Sequence, residues 1–329
     1  LDTGSSGSEQ WNGICYSRLN GRLYCAPASS SDVLVIDPQL DAISRIEAGI
    51  ATAAHKWSGI AEAENGKLYC APAAHSAVLI IEPLPDTYKI SFIETGVDET
   101  DKWKWNGVAK ASNGKLYCAP CGHSTVLVID PSTDSTSFIE TGCTTGHKWS
   151  GIVASKNGKV YCAPCDHSSV LVIDSATHDV SYIETHASEI AKWRGIVEAS
   201  NGKLYCAPFN HSCILVIDPT TNGVSYIETP IVHTAKWRGI AQSIDGKLYC
   251  TPFHHSAVLV IDPATEMVEL IDTGYPDASG LWREIAACPN GIMYCSPFNN
   301  AGVLKIDPDA IDKWDQRKIL MNLGLVPVS

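Results

Sequence analysis

The chain has 329 residues, 45% of them hydrophobic, and 24 Lys+Arg stand against 36 Asp+Glu for a formal net charge of −12. Proteins that bind nucleic acid through phosphate contacts normally carry a basic excess or a large basic face, so this balance argues against nucleic acid as the main partner. No apolar run is long enough for a membrane-spanning helix. The chain begins at Leu1 rather than Met, which we interpret as a processed or incomplete start.

A repeated unit fills the chain, and a Tyr-Cys dipeptide marks each copy. The seven dipeptides are Tyr24-Cys25, Tyr69-Cys70, Tyr117-Cys118, Tyr161-Cys162, Tyr205-Cys206, Tyr249-Cys250 and Tyr294-Cys295. Successive cysteines are 45, 48, 44, 44, 44 and 45 residues apart. A period of about 40–50 residues built from strand signals is typical of propeller blades. The sequence therefore predicts one all-β domain, a seven-bladed β-propeller of four-stranded antiparallel blades.

The predicted blades cover residues 10–49, 56–96, 104–142, 148–186, 192–230, 236–274 and 281–324. Blade five shows the four strands clearly. They are strand A at Trp193–Glu198, B at Lys203–Ala207, C at Cys213–Ile217 and D at Val224–Glu228. Asn201-Gly202 between strands A and B predicts a type I′ hairpin turn. The continuous apolar run of strand C indicates burial on both faces, as between two neighbouring blades.

The two ends of the chain bear on how the ring closes. The last unit has a weaker predicted strand D at Arg317–Leu323. Leu1–Gly4 resembles Ile271–Gly274, where strand D of blade six ends. This N-terminal segment either closes the ring against the last blade or is the remnant of a longer sequence upstream, and the sequence leaves both interpretations open.

The repeat resembles those of the broad WD40/YVTN/NHL-like propeller superfamily. It looks closest to protist repeat proteins with NGK-x-Y…P…VLVIDP units, as in the stretch from Asn113 to Pro131. The Gly-His and Trp-Asp dipeptides of WD40 blades are absent from their usual places. The resemblance covers nearly the whole chain and implies the propeller architecture, but no particular function.

Histidine and lysine residues gather in the loops on one predicted face of the disc, where the D-to-A and B-to-C connections lie. The D-to-A loops contain His55-Lys56, Lys104, His147-Lys148, Lys192 and Lys236, and the B-to-C loops contain His75, His123, His167, His211 and His255. An acidic protein is thus predicted to have one locally basic face. Each of the five B-to-C histidines precedes a serine, and we interpret these repeated pairs first as loop braces and only second as ligands. The ring is too wide for a shared zinc ion, so neither a metal nor another cofactor is predicted.

Departures from the repeat are more informative than the repeat itself. The repeated tryptophans are Trp11, Trp57, Trp105, Trp149, Trp193, Trp237 and Trp282, which we predict to be wedges between blades. The next residue is Asn12, Ser58, Asn106 or Ser150 in blades one to four, but Arg194, Arg238 or Arg283 in blades five to seven. At the end of strand B, blades five to seven carry Phe209, Phe253 and Phe298 where the others have Ala28, Ala73, Cys121 and Cys165.

These six residues, with His254, His255 and His211, form the candidate ligand site. Guanidinium groups suit a carboxylate, sulfate or phosphate, and aromatic rings suit a flat or apolar ligand body. In the alternative interpretation, each arginine stacks on a phenylalanine as packing compensation. The two interpretations are compatible.

Cysteine usage bears on compartment and redox chemistry. The 13 cysteines are odd in number and seven recur at one repeat position, which favours buried filler over disulfides and an intracellular location. The lone sequon Asn210-His211-Ser212 points the other way. Cys118-Ala-Pro-Cys121 and Cys162-Ala-Pro-Cys165 have C-x-x-C spacing but no following helix, so a redox role is the weaker interpretation.

Three classes of function remain. The leading hypothesis is a non-enzymatic binding module or scaffold that presents its basic face to an anionic ligand or protein partner. The alternative is a propeller-fold lyase or hydrolase that acts on an anionic small molecule or glycan, with a histidine base and arginines as anion holders. No acid–base pair stands out, so catalytic residues stay unassigned. A third possibility is a subunit docked through blade edges or through Asp309–Ser329, with Trp314 among its contacts.

Overall fold

The computed structural model describes residues 1–4, 7–50, 53–84, 87–99, 103–144 and 146–310. Their strands form six four-stranded sheets and one three-stranded sheet, each antiparallel and each built from consecutive strands. The first strand of every sheet contacts the first strand of the next, and the seventh returns to the first. Within these residues helical backbone occurs only at 308–310. The predicted seven-bladed propeller is confirmed.

Blades one to four have complete sheets. Blade one contains β1 (Trp11–Tyr16), β2 (Leu23–Pro27), β3 (Asp32–Asp37) and β4 (Ala42–Glu47). Blade two contains β5 (Trp57–Glu62), β6 (Leu68–Pro72), β7 (Ala77–Pro83) and β8 (Tyr88–Glu94). Blade three contains β9 (Trp105–Lys110), β10 (Leu116–Pro120), β11 (Thr125–Asp130) and β12 (Ser135–Glu140). Blade four contains β13 (Trp149–Ala154), β14 (Lys159–Pro164), β15 (Ser169–Asp174) and β16 (Val180–Glu184).

Blades five and six are also complete, and blade seven has three strands. Blade five contains β17 (Trp193–Glu198), β18 (Leu204–Pro208), β19 (Cys213–Asp218) and β20 (Gly223–Glu228). Blade six contains β21 (Trp237–Gln242), β22 (Leu248–Pro252), β23 (Ala257–Ile261) and β24 (Val268–Asp272). Blade seven contains β25 (Trp282–Ala287), β26 (Met293–Pro297) and β27 (Leu304–Ile306). No helix among the described residues is long and apolar enough to cross a membrane.

The hairpin between the first two strands of a blade differs from the predicted type I′ turn. In blade five Gly202 has a φ of +78°, but Asn201 does not have a positive φ. The Gly202 N–H donates to the Ala199 carbonyl at 2.9 Å, and the Asn201 Oδ1 accepts from the Lys203 N–H at 3.0 Å. These bonds describe a type I turn followed by a left-handed glycine, a second hairpin geometry that the same dipeptide supports.

The repeated tryptophans pack between blades, as predicted. Trp193 has no exposed surface, and it lies in one cluster with Tyr161 of blade four and Leu204 of its own blade. Its indole Nε1 donates to the Cys213 carbonyl at 2.9 Å, so the only polar atom of the side chain is satisfied. A buried ring of this size supplies much of the contact energy between neighbouring sheets.

The N-terminal segment closes the ring. The Val303 N–H donates to the Leu1 carbonyl at 2.8 Å, and the Thr3 N–H donates to the Ala301 carbonyl at 2.7 Å. An antiparallel bridge also joins Asp2 to Gly302. Residues 1–3 thus occupy the outer edge of blade seven, which confirms the first of the two interpretations. The predicted strand Arg317–Leu323 and most of Asp309–Ser329 lie outside the described residues.

Candidate functional site

The first strand of each blade lines the central channel, and its second, third and fourth residues have separate tasks. The third residue is glycine in six blades: Gly13, Gly59, Gly107, Gly151, Gly195 and Gly239. A Cβ on Gly195 would lie 2.6 Å from the Arg238 carbonyl oxygen of the next blade. Neighbouring strands therefore approach too closely for a side chain at this depth, and this contact explains the repeated glycine.

Below the glycines, an aliphatic ring lines the channel. It consists of Ile14, Ile60, Val108, Ile152, Ile196, Ile240 and Ile285. The channel at this level is a cavity of about 150 Å³. Ser58, Asn106 and Ser150 also border this cavity, at the channel mouth above the aliphatic ring.

One half of the mouth is a neutral hydrogen-bonded chain. The Asn12 Nδ2 donates to the Ser58 hydroxyl at 2.8 Å, and that hydroxyl donates to the Asn106 Oδ1. The Asn106 Nδ2 in turn donates to the Ser150 hydroxyl at 2.9 Å. The Ser150 hydroxyl has no acceptor of its own among the described residues, so the chain ends with an available donor beside blade five.

The other half of the mouth holds the three predicted arginines, each stacked on the phenylalanine of its own blade. The guanidinium carbon of Arg194 lies 4.8 Å from the ring centre of Phe209. The corresponding distances are 5.5 Å for Arg238 over Phe253 and 4.4 Å for Arg283 over Phe298. The predicted stacking is therefore present. It holds the guanidinium planes against aromatic faces and leaves their edges for in-plane hydrogen bonds.

The three arginines have fewer hydrogen-bond partners and opposite charges around them than buried guanidinium groups need. Arg238 is 5% exposed and Arg283 is 2% exposed. The Nε atoms of all three arginines, and Nη1 of Arg283, are buried without a hydrogen-bond partner. Burial, reinforced by the neighbouring Arg194, lowers the pKa of Arg238 to about 9. Burial and Arg238 likewise lower the pKa of Arg283. Without a ligand, this cluster is electrostatically unfavourable.

Glu284 is a site residue that the sequence analysis missed. It occupies the third position of blade seven, where the other six blades have glycine, and this substitution was the available signal. Its Oε1 lies 3.9 Å from the Arg238 Nε. About a third of the side chain is exposed (34%), and it lines the channel cavity at the level of the aliphatic ring. Burial raises the pKa of Glu284, and the three arginines oppose that rise.

A cavity of about 240 Å³ opens above the arginines. Its lining residues are Glu9, Trp103, Asn106, Cys121, His147, Arg194, Arg238, Phe253, Arg283 and Phe298. Trp103, also missed from the sequence, faces Arg283 from the opposite side of the mouth, with 5.4 Å between the guanidinium carbon and the indole centre. Arg283 thus lies between two aromatic rings, Trp103 and Phe298.

A second substitution pattern explains the shape of this cavity. The residue two before the repeated tryptophan is Glu9, His55, Trp103 or His147 in blades one to four, but Ala191, Ala235 or Gly280 in blades five to seven. A Cβ on Gly280 would lie 3.2 Å from Phe298 and 3.4 Å from Phe253. Small residues therefore accompany the phenylalanines because the rings occupy the adjacent space. Polar or large side chains take that position on the other half.

The predicted histidines divide into two groups. The Nδ1 atoms of His211 and His255 accept from the N–H groups of Cys213 and Ala257, both at 3.0 Å, and their rings pack on the tryptophans of their blades. They are loop braces and do not line the cavity. His254 stacks on Phe253 with 4.7 Å between ring centres, which places it beside the site. Phe209 likewise contacts Phe253 at 5.6 Å without lining the cavity.

The predicted basic face needs correction, because its lysines are internal. Lys56, Lys104, Lys148, Lys192 and Lys236 are at most 2% exposed. The Nζ of Lys236 donates to the carbonyls of His211 and His233, both at 2.9 Å. Burial lowers the pKa of Lys236 to about 8. These ammonium groups tie neighbouring loops together, and the arginine cluster is the cationic feature left at the mouth.

The C-x-x-C cysteines show no feature of reactive thiols. All 13 cysteines are free, and Cys118, Cys121, Cys162 and Cys165 are buried. Burial raises the pKa of Cys165 to about 12. A thiol of this kind is protonated at neutral pH and is a poor nucleophile or metal ligand.

The repeated histidines of the B-to-C loops should make the protein less stable in mild acid. The Nδ1 atoms of His75 and His167 accept from the N–H groups of Ala77 and Ser169, as in the other loop braces. Burial lowers the pKa of His75 and of His167 below the ordinary value of about 6.5. The unfolded chain therefore binds these protons more readily than the folded chain, so the free energy of unfolding falls as pH drops through about 6.5 toward the folded-state values. Urea unfolding at several pH values checks this. The decrease should be smaller in the His75→Gln/His167→Gln variant, whereas exposed His233→Gln should follow the parent protein.

Solved propeller structures share this architecture at low sequence identity. Virginiamycin B lyase from Staphylococcus aureus is 11% identical with a TM-score of 0.77, over 91% of this chain and 95% of its own. A streptogramin B lyase is 11% identical with a TM-score of 0.79, over 93% and 95%. Kuenenia stuttgartiensis hydrazine synthase is 15% identical with a TM-score of 0.69, over 92% and 96%.

At these identities the comparisons show the fold alone. No protein-family model matches the chain, and no curated protein sequence matches it. The resemblance of the repeat to protist NGK-x-Y proteins therefore stays a prediction. Function has to be argued from the cavity.

Proposed function

We propose that this propeller is a non-enzymatic binding protein whose channel-mouth cavity takes a small anionic ligand. One observation carries the proposal: three arginines on adjacent blades line one cavity, and each has a buried nitrogen without a hydrogen-bond partner. Unsatisfied buried donors are costly, and unpaired buried charges cost more. An anion in the cavity offsets both costs with charge-assisted hydrogen bonds.

The rest of the mouth fits the same ligand chemistry. The hydrogen-bond chain from Asn12 passes through Asn106, which lines the cavity and adds a polar side chain to it. Trp103, Phe253 and Phe298 also line the cavity and give it an apolar part. The cavity, at about 240 Å³, is smaller than the roughly 300–1,000 Å³ typical of sites for drug-sized molecules. The ligand is therefore compact.

Burial of the loop lysines bears on the choice between a small ligand and a protein partner. An acidic protein docking across the whole face would need exposed cations spread over it. The lysines that could have supplied them are buried, and Lys236, for example, donates to backbone carbonyls. The uncompensated positive charge is concentrated in one concave site, which favours the small molecule.

A thermal-shift screen tests the proposal. We expect phosphates, sulfates or small carboxylates to raise the melting temperature of the protein, because a ligand at a hundred times its Kd adds about 2.7 kcal/mol to the free energy of unfolding. Sodium chloride at matched ionic strength is the control for nonspecific salt effects. A uniform lack of response to every anion class would contradict the proposal.

Glu284 favours one second candidate, an enzyme acting on an anionic small molecule. A carboxyl group with a raised pKa beside arginines has the character of a general acid or base. It replaces the histidine base expected from the sequence, because His211 and His255 are braces. Conversion of a bound anion, detected by NMR and abolished in Glu284→Gln without loss of binding, would establish this activity. Stable binding without conversion supports the non-enzymatic function.

A further inference from the structure

The charges around the cavity do not balance. Arg194, Arg238 and Arg283 contribute three positive charges, and Glu284 contributes one negative charge in its ionised form. The Glu9 carboxylate, at the rim, lies against His55, with 3.1 Å between its Oε2 and the His55 Nε2, and among the described residues it forms no ion pair with an arginine. His147 and the Cys121 thiol complete the titratable lining, and neither adds a negative charge at neutral pH. Of the three arginines, two are therefore without a paired carboxylate among the described residues.

The position of Glu284 shows which two arginines lack a paired carboxylate. Its carboxylate is nearest to Arg238, the middle arginine, at 3.9 Å. Among the described residues, neither Arg194 nor Arg283 forms an ion pair with a carboxylate. These two arginines lie in the blades on either side of Arg238, so the uncompensated charges flank the compensated one.

We propose that the ligand of this site is a compact dianion, either a small dicarboxylate or a phosphate monoester, whose two charges compensate Arg194 and Arg283. This inference rests on the proposed anion-binding function and narrows it. A monoanion would leave one of these two guanidinium groups without a paired negative charge, although each has a buried nitrogen without a hydrogen-bond partner. A dianion pairs with both, and Arg283, held between Trp103 and Phe298, is available to receive one of its charges.

Matched pairs of probes that differ by one charge test the inference in the unmodified protein. The pairs are methyl phosphate with dimethyl phosphate, and succinate with monomethyl succinate. Titration calorimetry at about pH 7.5 keeps methyl phosphate mostly dianionic, because the second phosphate pKa is about 6. We expect at least one dianion to bind about tenfold or more tightly than its partner, which corresponds to about 1.4 kcal/mol. The pair that shows the difference distinguishes the dicarboxylate from the phosphate.

Glu284→Gln supplies the second measurement. Removing this carboxylate raises the local positive charge by one, so dianion affinity should increase several-fold and the ratio between dianion and monoanion should widen. Glu284→Gly, the residue of the other six blades, is the matched variant and should show the same increase.

Equal affinity for both members of each pair, with binding lost in Arg283→Met, would overturn the dianion inference and leave anion binding intact. Unchanged affinity in both Glu284 variants would also count against it. Failure of all four probes, together with no response in the anion screen, would instead remove the proposed function itself.

Discussion

Replacing Arg283 by Met should stabilise the unliganded protein and remove most of its stabilisation by anions. Arg283 is 2% exposed, its Nε and Nη1 have no hydrogen-bond partner, and the neighbouring Arg238 adds to the cost of its charge. An apolar side chain of similar length removes the buried charge and keeps most of the contact with Phe298. We expect the free energy of unfolding to rise by about 1 kcal/mol without ligand. The anion-dependent gain of about 2.7 kcal/mol should largely disappear.

The control is Arg22→Met on the opposite face, where the arginine is 45% exposed and paired with Asp37 at 3.1 Å. This change should alter the free energy of unfolding by no more than about 0.5 kcal/mol and leave the response to anions intact. Chemical denaturation with and without the best anion from the screen measures both quantities. If Arg283→Met were strongly destabilising and still responded to anions, the arginines would be packing elements and the proposed site would be wrong.

The architecture was predictable because its signals are local and repeated seven times. The Tyr-Cys period, the buried tryptophans and the apolar third strands each report burial between neighbouring sheets. The predicted hairpin geometry was wrong because the dipeptide Asn201-Gly202 is compatible with more than one type of turn. A two-residue pattern does not say whether one or both residues take the left-handed conformation, and here only Gly202 does.

The candidate site was predictable only in part. Arg238 and Phe253 stood out because the fold does not require them, and stacking brings them together. Glu284 carried the same kind of signal, a glycine position filled by another residue. It was missed because the reason for that glycine, backbone contact between neighbouring strands, is visible only in three dimensions.

The lysine prediction failed for a different physical reason. A sequence shows where a charge is, but it does not show the carbonyl groups around it. Lys236 lies where loops of adjacent blades meet, and its ammonium group donates to carbonyls from two of them. The repeated lysines, which the sequence analysis placed on a basic face, are therefore buried and connect neighbouring blades. The arginines differ because their stacking on phenylalanine leaves nitrogens without such partners.

The ring of glycines at the third position of the first strands leaves no room for an added side chain. Gly195→Ala should destabilise the propeller by about 3 kcal/mol, the upper part of the usual range for overpacking. The new Cβ would lie 2.6 Å from the Arg238 carbonyl oxygen and 3.0 Å from the Ile240 nitrogen. Both are backbone atoms of the neighbouring strand, so no rotamer change relieves the contact. The two strands must separate, and this also displaces Arg238, so anion binding should weaken together with stability.

Gly158→Ala separates this effect from ordinary glycine strain. Gly158 lies in a turn with a φ of +84° and open space around its Cβ position, so its replacement should cost only about 1–2 kcal/mol and leave anion affinity unchanged. Glu284→Ala tests the same ring at the position that already holds a side chain, and it should be tolerated. If Gly195→Ala were as mild as Gly158→Ala, the strands would have room to move apart. The glycine ring would then not fix the spacing of the three arginines around the cavity.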